Sequence, residues 1–284
     1  MVAPMRRVLL KHPRDAFRSP AHVARSWRAL HYLGPPDFHR ACREYDRFTE
    51  HFHRLGIAVD YLPSHPDTGL DALYVRDTAL ITDGGAILCR MGKEARRHEP
   101  DAVAAHLPAL GIPVLGAVTG AGRLEGGDVV WLDARTVLVG EGYRTNAEGI
   151  RQLAALLGDR VDAVTAVPLP HWNGPEDVLH LMSFLSPVDT DLAVVYPRMM
   201  PVPLRNLLLE RGFRLVEVPD EEYDTLGCNV LALAPRLCLM AAGNPVTRRR
   251  LEQAGAEVWT YEGEEISRKG SGGPTCLTRP LLRA

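Results

Sequence analysis

Residues that can carry out chemistry recur along the chain at one spacing. Asp77, Glu125, His180, Cys228 and Cys276 follow one another at intervals of about fifty residues. A thiolate is the best nucleophile that a side chain supplies, and a histidine exchanges protons near neutral pH. Carboxylates bind and orient cationic groups. The spacing therefore predicts a catalytic site with Cys276 as its nucleophile.

Each of these residues also has an ordinary structural interpretation. Asp77 could cap a turn, Glu125 could be a loop carboxylate, and His180 could be a hydrogen-bonded core residue. Free cysteines are usually core residues, and Cys228 lies in an apolar segment that favours this assignment. Their common position in a repeat nevertheless favours a catalytic role for the two carboxylates, the histidine and Cys276.

Cys276 lies in a glycine-rich stretch, Lys269–Pro280. Glycines and a proline precede the cysteine and predict a tight turn that another group can approach closely. The residues Cys276-Leu-Thr278 are predicted to form a strand directly after this turn.

Strand and helix patterns repeat with the same period as the candidate residues. Each unit has the order strand, strand, helix, strand, and the 3.6-residue periodicity of its helix argues against an all-β propeller. The first strands of four units are predicted to begin at Ala79, Val129, Leu181 and Asn229, and their helices to span Glu94–Leu110, Asn146–Leu157, Val202–Glu210 and Thr247–Ala254.

The two ends of the chain supply a fifth unit. Its predicted elements are Cys276-Leu-Thr278, Val8–Leu10, the helix Asp37–Leu55 and the strand Ile57–Leu62. The pattern thus predicts one α/β domain over residues 1–284, a ring of five units closed by the N- and C-terminal strands. Residues 11–36 show no pattern, and either a surface loop or a mobile lid would fit them.

The composition excludes several classes of protein. There are 33 Lys and Arg against 35 Asp and Glu, a net charge of −2, which argues against a nucleic-acid or anionic-membrane partner. No apolar run is as long as a membrane span, and the start lacks the apolar part of a signal peptide. Five cysteines without a C-x-x-C pair argue against a disulfide framework or a zinc site. We expect a soluble, cytoplasmic protein.

Five motifs make the chain similar to the guanidine-modifying enzymes of the pentein superfamily, whose fold is a five-bladed α/β-propeller. The motifs are Leu73-Tyr-Val-Arg-Asp-Thr-Ala79, Leu124-Glu-Gly-Gly-Asp-Val129, Val139-Gly-Glu-Gly-Tyr-Arg-Thr-Asn-Ala-Glu-Gly149, Leu179-His-Leu181 and Gly272-Gly-Pro-Thr-Cys276. The superfamily includes arginine deiminases, amidinotransferases and dimethylarginine dimethylaminohydrolases. The resemblance implies five ββαβ units with pseudo-fivefold symmetry and requires no metal or organic cofactor.

Within the superfamily the chain most resembles the dimethylarginine dimethylaminohydrolases. The stretch Arg144-Thr-Asn-Ala-Glu-Gly149 is similar to theirs, as is the chain length. Arginine deiminases and amidinotransferases usually carry an aspartate two residues after the histidine, where this chain has Met182. The methionine would leave apolar space for an N-methyl group. It is not the residue expected in the dimethylarginine enzymes either.

The resemblance also implies roles for individual residues. Cys276 would attack the guanidinium carbon and form a covalent thiouronium, while His180 serves as general acid and then as general base. The expected catalytic residues are Cys276, His180 and Glu125, and the expected substrate-binding residues are Asp77, Asp71, Arg96, Arg144 and Asp128.

The two ends of the substrate would bind different groups of this set. Asp77 and Glu125 would bind the guanidinium nitrogens, and Asp71 the α-ammonium. Arg96 and Arg144 would bind the α-carboxylate, with Arg97 as the alternative to Arg96.

These residues are compatible with several functions. The chain is expected to hydrolyse N-methylated arginines to citrulline and dimethylamine or methylamine, and an arginine deiminase or an amidinotransferase of the same superfamily is the near alternative. A non-catalytic pentein-like binding protein is the alternative from another class. The expected partner is a small guanidino amino acid, and a homodimer is left open.

Overall fold

The computed structural model describes residues 2–284, whose backbone forms five three-stranded sheets. The strands are β1 Met5–Leu10, β2 Ala58–Tyr61, β3 Ala79–Thr82, β4 Gly85–Leu88, β5 Val114–Ala117, β6 Val129–Trp131, β7 Thr136–Glu141, β8 Ala163–Pro168, β9 Leu185–Pro187, β10 Leu192–Val195, β11 Arg214–Glu217, β12 Val230–Ala234, β13 Leu237–Ala241, β14 Glu257–Tyr261 and β15 Arg279–Arg283. The α-helices are α1 Pro13–Ala16, α2 Pro20–Ser26, α3 Phe38–Arg54, α4 Glu99–His106, α5 Ala147–Leu157, α6 Val202–Glu210, α7 Asp220–Tyr223 and α8 Pro245–Gln253.

All five sheets have one topology. The middle strand pairs antiparallel with the first strand of its unit and parallel with the third, as β7 does with β6 and β8. The crossover from the middle to the third strand contains one α-helix in four units, α4, α5, α6 or α8, and three in the fifth, α1, α2 and α3. The predicted α/β-propeller of five strand-strand-helix-strand units is confirmed.

The fifth sheet joins the two ends of the chain. β1 lies between β15 and β2, with Met5 opposite Arg283 and Leu9 opposite Arg279. The amide of Ala284 donates to the carbonyl oxygen of Pro4 at 2.8 Å. That residues 1–284 form one domain stays a prediction.

The predicted strand Cys276-Leu-Thr278 is wrong, since β15 begins only at Arg279. The backbone turns at the cysteine instead, because the amide of Leu277 donates to the carbonyl of Gly273 at 3.1 Å. The hydroxyl of Thr278 donates to the carbonyl of Pro274 at 2.9 Å and holds the same turn. Cys276 therefore precedes the first strand of its unit.

The helix predicted over Glu94–Leu110 is wrong as a single element. A 3-10 turn covers Glu94–Arg96, α4 follows at Glu99, and a second 3-10 turn covers Leu107–Leu110. Pro100 and Pro108 each lack the amide hydrogen of a helix interior, and each lies in the first turn of its segment.

The first strand predicted for the third unit, Leu181–Leu185, is also wrong. Leu181–Ser183 forms a 3-10 turn and β9 begins at Leu185. The hydroxyl of Ser183 accepts from the amide of His180 at 3.0 Å, a local side-chain bond that competes with strand pairing.

The segment 11–36 contains helices where the sequence showed no pattern. α1 is capped by the side chain of His12 and α2 by that of Ser19, and each has a proline in its first turn. Phe17 and Val23 are buried in the same hydrophobic cluster as the aromatic residues of α3. No helix in residues 2–284 is both long and apolar enough to cross a bilayer.

Candidate active site

The glycine-rich turn brings Cys276 against two neighbouring units. A Cβ at Gly272 would overlap the ring of Tyr74, and one at Gly273 would overlap the side chain of Asn229. The carbonyl of Cys276 accepts from the amide of Arg76 at 3.2 Å. The turn needs its glycines because these backbones approach so closely.

Cys276 as a residue is partly exposed, whereas the other four cysteines are buried. Its Sγ accepts from the amide Nδ2 of Asn229 at 3.5 Å and lies 3.8 Å from the hydroxyl of Thr275. Burial and the charge of Asp77 raise the pKa of Cys276, while its hydrogen bonds with Thr275 and Asn229 and the charge of Arg76 lower it in part. The net direction is upward, so the thiol form is favoured.

Asn229 is a site residue that the spacing of the candidate residues did not predict. Its Oδ1 accepts from the amide and the hydroxyl of Thr275 at 3.1 and 2.8 Å, while its Nδ2 faces Cys276. Asn229 follows Cys228, the residue at the repeated position of the fourth unit. The repeated position could therefore have indicated Asn229. Cys228 itself is buried, and its thiol faces the carbonyl of Val194.

Asp77, Glu125 and His180 converge because three units enter their first strands through 3-10 turns. Asp77 ends the turn Val75–Asp77, Glu125 precedes Gly126–Asp128 and His180 precedes Leu181–Ser183. Nε2 of His180 lies 2.7 Å from Oε2 of Glu125, and its Nδ1 lies 3.9 Å from Oδ1 of Asp77. All three side chains are buried.

The histidine is a cation in this arrangement. Burial lowers the pKa of His180, but the charges of Asp77 and Asp128 and the bond to Glu125 outweigh it and raise the pKa to about 9. Burial raises the pKa of Glu125, yet the bond and charge of His180 and the charge of Arg144 bring it well below its usual range. At neutral pH the imidazolium of His180, paired with the carboxylate of Glu125, can therefore donate a proton.

The carboxylates differ in the lone pairs that they leave free. Oδ1 of Asp77 accepts from the amide of Gly127 at 2.9 Å and Oδ2 from Arg96 at 2.6 Å. Oε1 of Glu125 accepts from two backbone amides, and Oε2 faces His180 and Arg144. A carboxylate has about four acceptor sites. Asp77 can thus bind further donors directly, whereas Glu125 must first release one.

Arg96 is directed at carboxylates within the protein. Its Nη1 donates to Asp77, and its Nε and Nη2 donate to Glu99 at 3.0 and 2.8 Å. Nη2 also donates to the carbonyl of Tyr74 at 2.9 Å. This geometry favours a role in holding Asp77 over the predicted contact with an α-carboxylate. Arg97, the alternative, is exposed and pairs with Glu94.

Arg144 and Asp71 lie at the edge of the cluster. Nη1 of Arg144 is 3.4 Å from Glu125 and Nη2 is 3.3 Å from the carbonyl of Asp177, both long contacts. Asp71 pairs with Nζ of Lys93 at 2.6 Å. Lys93 also donates to the carbonyl of Leu30 at 2.9 Å, which ties the segment before α3 to this edge.

Asp128 faces the protein. Its Oδ2 accepts from the hydroxyl of Thr145 at 2.6 Å and its Oδ1 from the amide of Leu181 at 3.0 Å. Burial raises the pKa of Asp128 to about 6. Because these bonds link the turn after Glu125 to the residue after His180, the geometry favours a positioning role over the predicted substrate contact.

Asp77, Glu125 and His180 also have the residue types of a metal site, since one ligand atom of each lies within 4.8 Å of the others. The Glu125 and His180 ligand atoms bond to each other, and Asp77 accepts from Arg96 and Gly127. With a pKa of about 9, the histidine holds the proton that a metal would have to displace. The set fits a planar cation with N–H groups better than a metal ion.

Comparison with known proteins identifies one family. Residues 37–283 match the family model described as N,N dimethylarginine dimethylhydrolase, eukaryotic. The chain is 27% identical over 262 residues to N(G),N(G)-dimethylarginine dimethylaminohydrolase of Pseudomonas aeruginosa, covering 92% of this chain and 96% of that protein. It is 30% identical over 252 residues to an arginine deiminase of Listeria monocytogenes, covering 74% of this chain and 60% of the deiminase.

The fold has the same relatives. The structure of the Pseudomonas aeruginosa dimethylarginine dimethylaminohydrolase, in a cysteine-to-serine mutant complexed with citrulline, superposes with a TM-score of 0.79 at 24% identity. The match covers 99% of this chain and all of that one.

Proposed function

We propose the function of this chain from one premise, that it belongs to the family of N,N-dimethylarginine dimethylhydrolases, whose model it matches over residues 37–283. The chain is thus a hydrolase of the pentein superfamily that acts on guanidino C–N bonds. Its substrate is an N-methylated arginine, which it converts to citrulline and dimethylamine or methylamine. The observation that carries the proposal is the convergence of buried Asp77, Glu125 and cationic His180 next to Arg76, whose amide donates to the carbonyl of Cys276.

Substrate binding has to localise the delocalised charge of the guanidinium. Asp77 offers two free lone pairs to guanidinium N–H groups, and its present bonds from Gly127 and Arg96 hold its orientation. Glu125 also binds the guanidinium of the substrate once Arg144 releases its 3.4 Å contact with Oε2 of Glu125. The bound cation then offsets the burial that disfavours the thiolate of Cys276.

In the first step the thiolate of Cys276 forms a C–S bond to the guanidinium carbon and gives a tetrahedral adduct. The bond from this carbon to the methylated nitrogen breaks as His180 transfers its proton to that nitrogen. The methylated amine leaves, and a covalent thiouronium remains on Cys276.

In the second step the now neutral His180 takes a proton from water. The water oxygen forms a bond to the thiouronium carbon, the C–S bond breaks, the thiolate departs, and the proton left on this oxygen is released to solvent. The product carries a ureido group, and His180 is again an imidazolium beside Glu125.

The α-carboxylate and α-ammonium bind at the edge of the site. Arg144 has only long contacts with Glu125 and Asp177, so its guanidinium is free to pair with a planar carboxylate. Asp71 binds the α-ammonium in exchange for Lys93. Arg96 is a positioning residue in this proposal.

A substrate panel tests the proposal. The protein is incubated with arginine, monomethylarginine and asymmetric dimethylarginine, and citrulline is measured colorimetrically. We expect kcat/KM for a methylated substrate to exceed that for arginine at least tenfold. A clear preference for unmodified arginine would contradict the proposed substrate.

Arginine deiminase is the second candidate. The 30% identity to the Listeria monocytogenes enzyme favours it, although that enzyme is much longer than the matched region. Release of ammonia with citrulline from arginine identifies a deiminase. Transfer of the amidino group to an added amine without citrulline identifies an amidinotransferase.

Replacement of Cys276 by serine separates catalysis from mere binding. A serine hydroxyl is a far weaker nucleophile, so turnover should fall at least about a thousandfold while the fold is kept. Cys42→Ser, which changes a buried cysteine in α3, is the matched control and should stay active. Undiminished citrulline formation by Cys276→Ser would rule out Cys276 as the nucleophile. Binding of methylarginine without turnover by the wild type would support the non-catalytic alternative.

A further inference from the structure

A small cavity lies behind the cysteine turn, between β9 and β12. Its lining includes Arg76, Met182, Ser186, Thr275 and Arg283. Within the cavity, the centre of a water-sized group can move through a volume of about 20 Å³. This space holds one or two small groups and no organic ligand.

Arg76 brings an uncompensated charge to this cavity. The residue is 4% exposed, and its Nε donates to the carbonyl of Thr275 at 2.8 Å. Neither Nη1 nor Nη2 makes a hydrogen bond within residues 2–284, and no carboxylate there lies within ion-pair distance of this guanidinium. A charge on a buried residue without an ion-pair partner is costly, and Arg76 lines the cavity, so its Nη nitrogens call for a ligand there.

Two further arginines lie close by without a carboxylate partner among residues 2–284. Arg279 is 7% exposed, its Nη2 donates to the carbonyl of Arg76, and its buried Nε has no partner in the same range. Arg283 donates to the carbonyls of Ala3 and Ala232. Burial and the charge of Arg76 lower the pKa values of Arg279 and Arg283 to about 9 each.

We propose that this cavity binds one small monovalent inorganic anion, of the size and charge of chloride, on the free Nη groups of Arg76, and that its occupancy opposes formation of the Cys276 thiolate. The cavity volume admits a halide ion and excludes polyatomic anions such as sulfate. The hydroxyls of Ser186 and Thr275 are already bonded to Cys228 and Asn229, so the arginines supply the recognition.

The link to the thiol follows from the connection between the two residues. Arg76 bonds to Thr275 through Nε and to the carbonyl of Cys276 through its amide. Its positive charge favours the thiolate. An anion on the same guanidinium cancels that charge, which makes the thiol harder to ionise.

Met182 lines the same cavity as Arg76 and brings no carboxylate. An aspartate there would supply an internal counter-ion to Arg76, and Met182→Asp is therefore expected to exclude the anion. Arg283→Met removes charge at a partly exposed position that takes no part in the proposed reaction.

Direct binding is measured by the ³⁵Cl NMR line width in a gluconate background at constant ionic strength. For the wild type we expect excess broadening that saturates and is removed by bromide. Arg76→Met and Met182→Asp should abolish it, Arg283→Met should weaken it, and Arg205→Met on exposed α6 should leave it unchanged. Absent broadening in the wild type, or full broadening in a folded Arg283→Met and Met182→Asp, would overturn the proposal.

The thiol supplies an independent readout that needs no substrate. Alkylation of Cys276 by iodoacetamide at pH 7.5 should become several-fold slower when bromide replaces gluconate, with saturation at the affinity found by NMR. Met182→Asp should show no such salt difference. Equal wild-type rates in the two salts would overturn the proposed coupling. Neither measurement depends on which guanidine the protein hydrolyses.

Discussion

His180 carries much of the electrostatic character of the site, although it is a buried side chain. A buried histidine would ordinarily be neutral, because desolvation disfavours its cation. Asp77, Asp128 and Glu125 reverse this preference and raise the pKa from 6.5 to about 9. The proton required for the leaving amine is therefore present before substrate arrives.

The raised pKa of His180 predicts how stability depends on pH. Its stabilising effect is fully present below the unfolded value of 6.5 and is lost as pH rises through about 9. Between these limits the native state binds one more proton than the unfolded state, so this group lowers the free energy of unfolding by about 1.4 kcal/mol per pH unit.

His180→Asn should remove that slope. We would measure urea unfolding from pH 6 to pH 9 for the wild type, His180→Asn and the exposed control His53→Asn. The stability advantage of the wild type over His180→Asn should shrink as pH rises, while the control keeps the wild-type slope. Parallel pH profiles for the wild type and His180→Asn would show that the histidine is not a cation in the folded protein.

Asn229 has a testable influence on the nucleophile. Its Nδ2 lies 3.5 Å from Sγ of Cys276, and a hydrogen bond to a charged group is worth about 1.5–3 kcal/mol. Asn229→Ala should raise the pKa of the thiol by about one unit and slow its alkylation at pH 7.5 about tenfold. Asn206→Ala on the exposed face of α6 is the matched control. Wild-type alkylation rates in Asn229→Ala would contradict this role.

At the scale of elements, the 3-10 turns before the first strands determine the geometry of the site. Their short, tight backbone leaves no room for a side chain at Gly127, where a Cβ would lie 2.5 Å from Nδ1 of His180 and 2.9 Å from Oδ1 of Asp77. The turn can therefore bring its own amide to Asp77 only because this residue is glycine.

Gly127→Ala should accordingly disrupt the site more than the fold. Overpacking in a dense interior costs about 1–3 kcal/mol. We expect a loss of this size in urea unfolding together with a fall in kcat/KM of at least a hundredfold. Gly34→Ala, where a Cβ meets no atom within 4 Å, should match the wild type in both measurements. A fully active Gly127→Ala enzyme would show that the histidine and the aspartate tolerate displacement.

The helices and strands also show which elements a sequence pattern can predict and why other predictions are wrong. The helix predicted at Val202–Glu210 agrees with α6 to the residue. A predicted element is wrong where local hydrogen bonds compete with the hydrophobic pattern, as at Ser183 and Thr278, or where prolines interrupt a helix.

The candidate site was likewise predicted only in part. The repeat spacing predicted that Asp77, Glu125 and His180 lie together, and their ligand atoms are within 4.8 Å. Asn229 and Glu99 were missed, because their contacts depend on side-chain packing between elements that the spacing does not describe. The residues best predicted are those at a repeated backbone position.

At the scale of the whole molecule, the pairing of β1 with β15 makes the chain nearly circular. The amide of Ala284 bonds to the carbonyl of Pro4, so a short linker can join the two ends without strain. New ends can be made in the exposed turn at Asp83 and Gly84, between β3 and β4.

A circular permutant opened at this turn should therefore fold. We expect cooperative urea unfolding with a free energy within about 2 kcal/mol of the wild type and the same preference among guanidino substrates. A permutant opened within buried β12 should lose both properties. Failure of the Asp83–Gly84 permutant to unfold cooperatively would show that the natural order of the units is needed for stability.

Closure of the ring by β15 also has a consequence for synthesis on the ribosome. β1 emerges first, but the strand beside it emerges last, after the four other units. Until then β1 keeps one unpaired edge, which is exposed to other chains or to chaperones. The cysteine is also translated after every other candidate residue. A nascent chain consequently has no reactive thiol in the site until the rest of the pocket has been made.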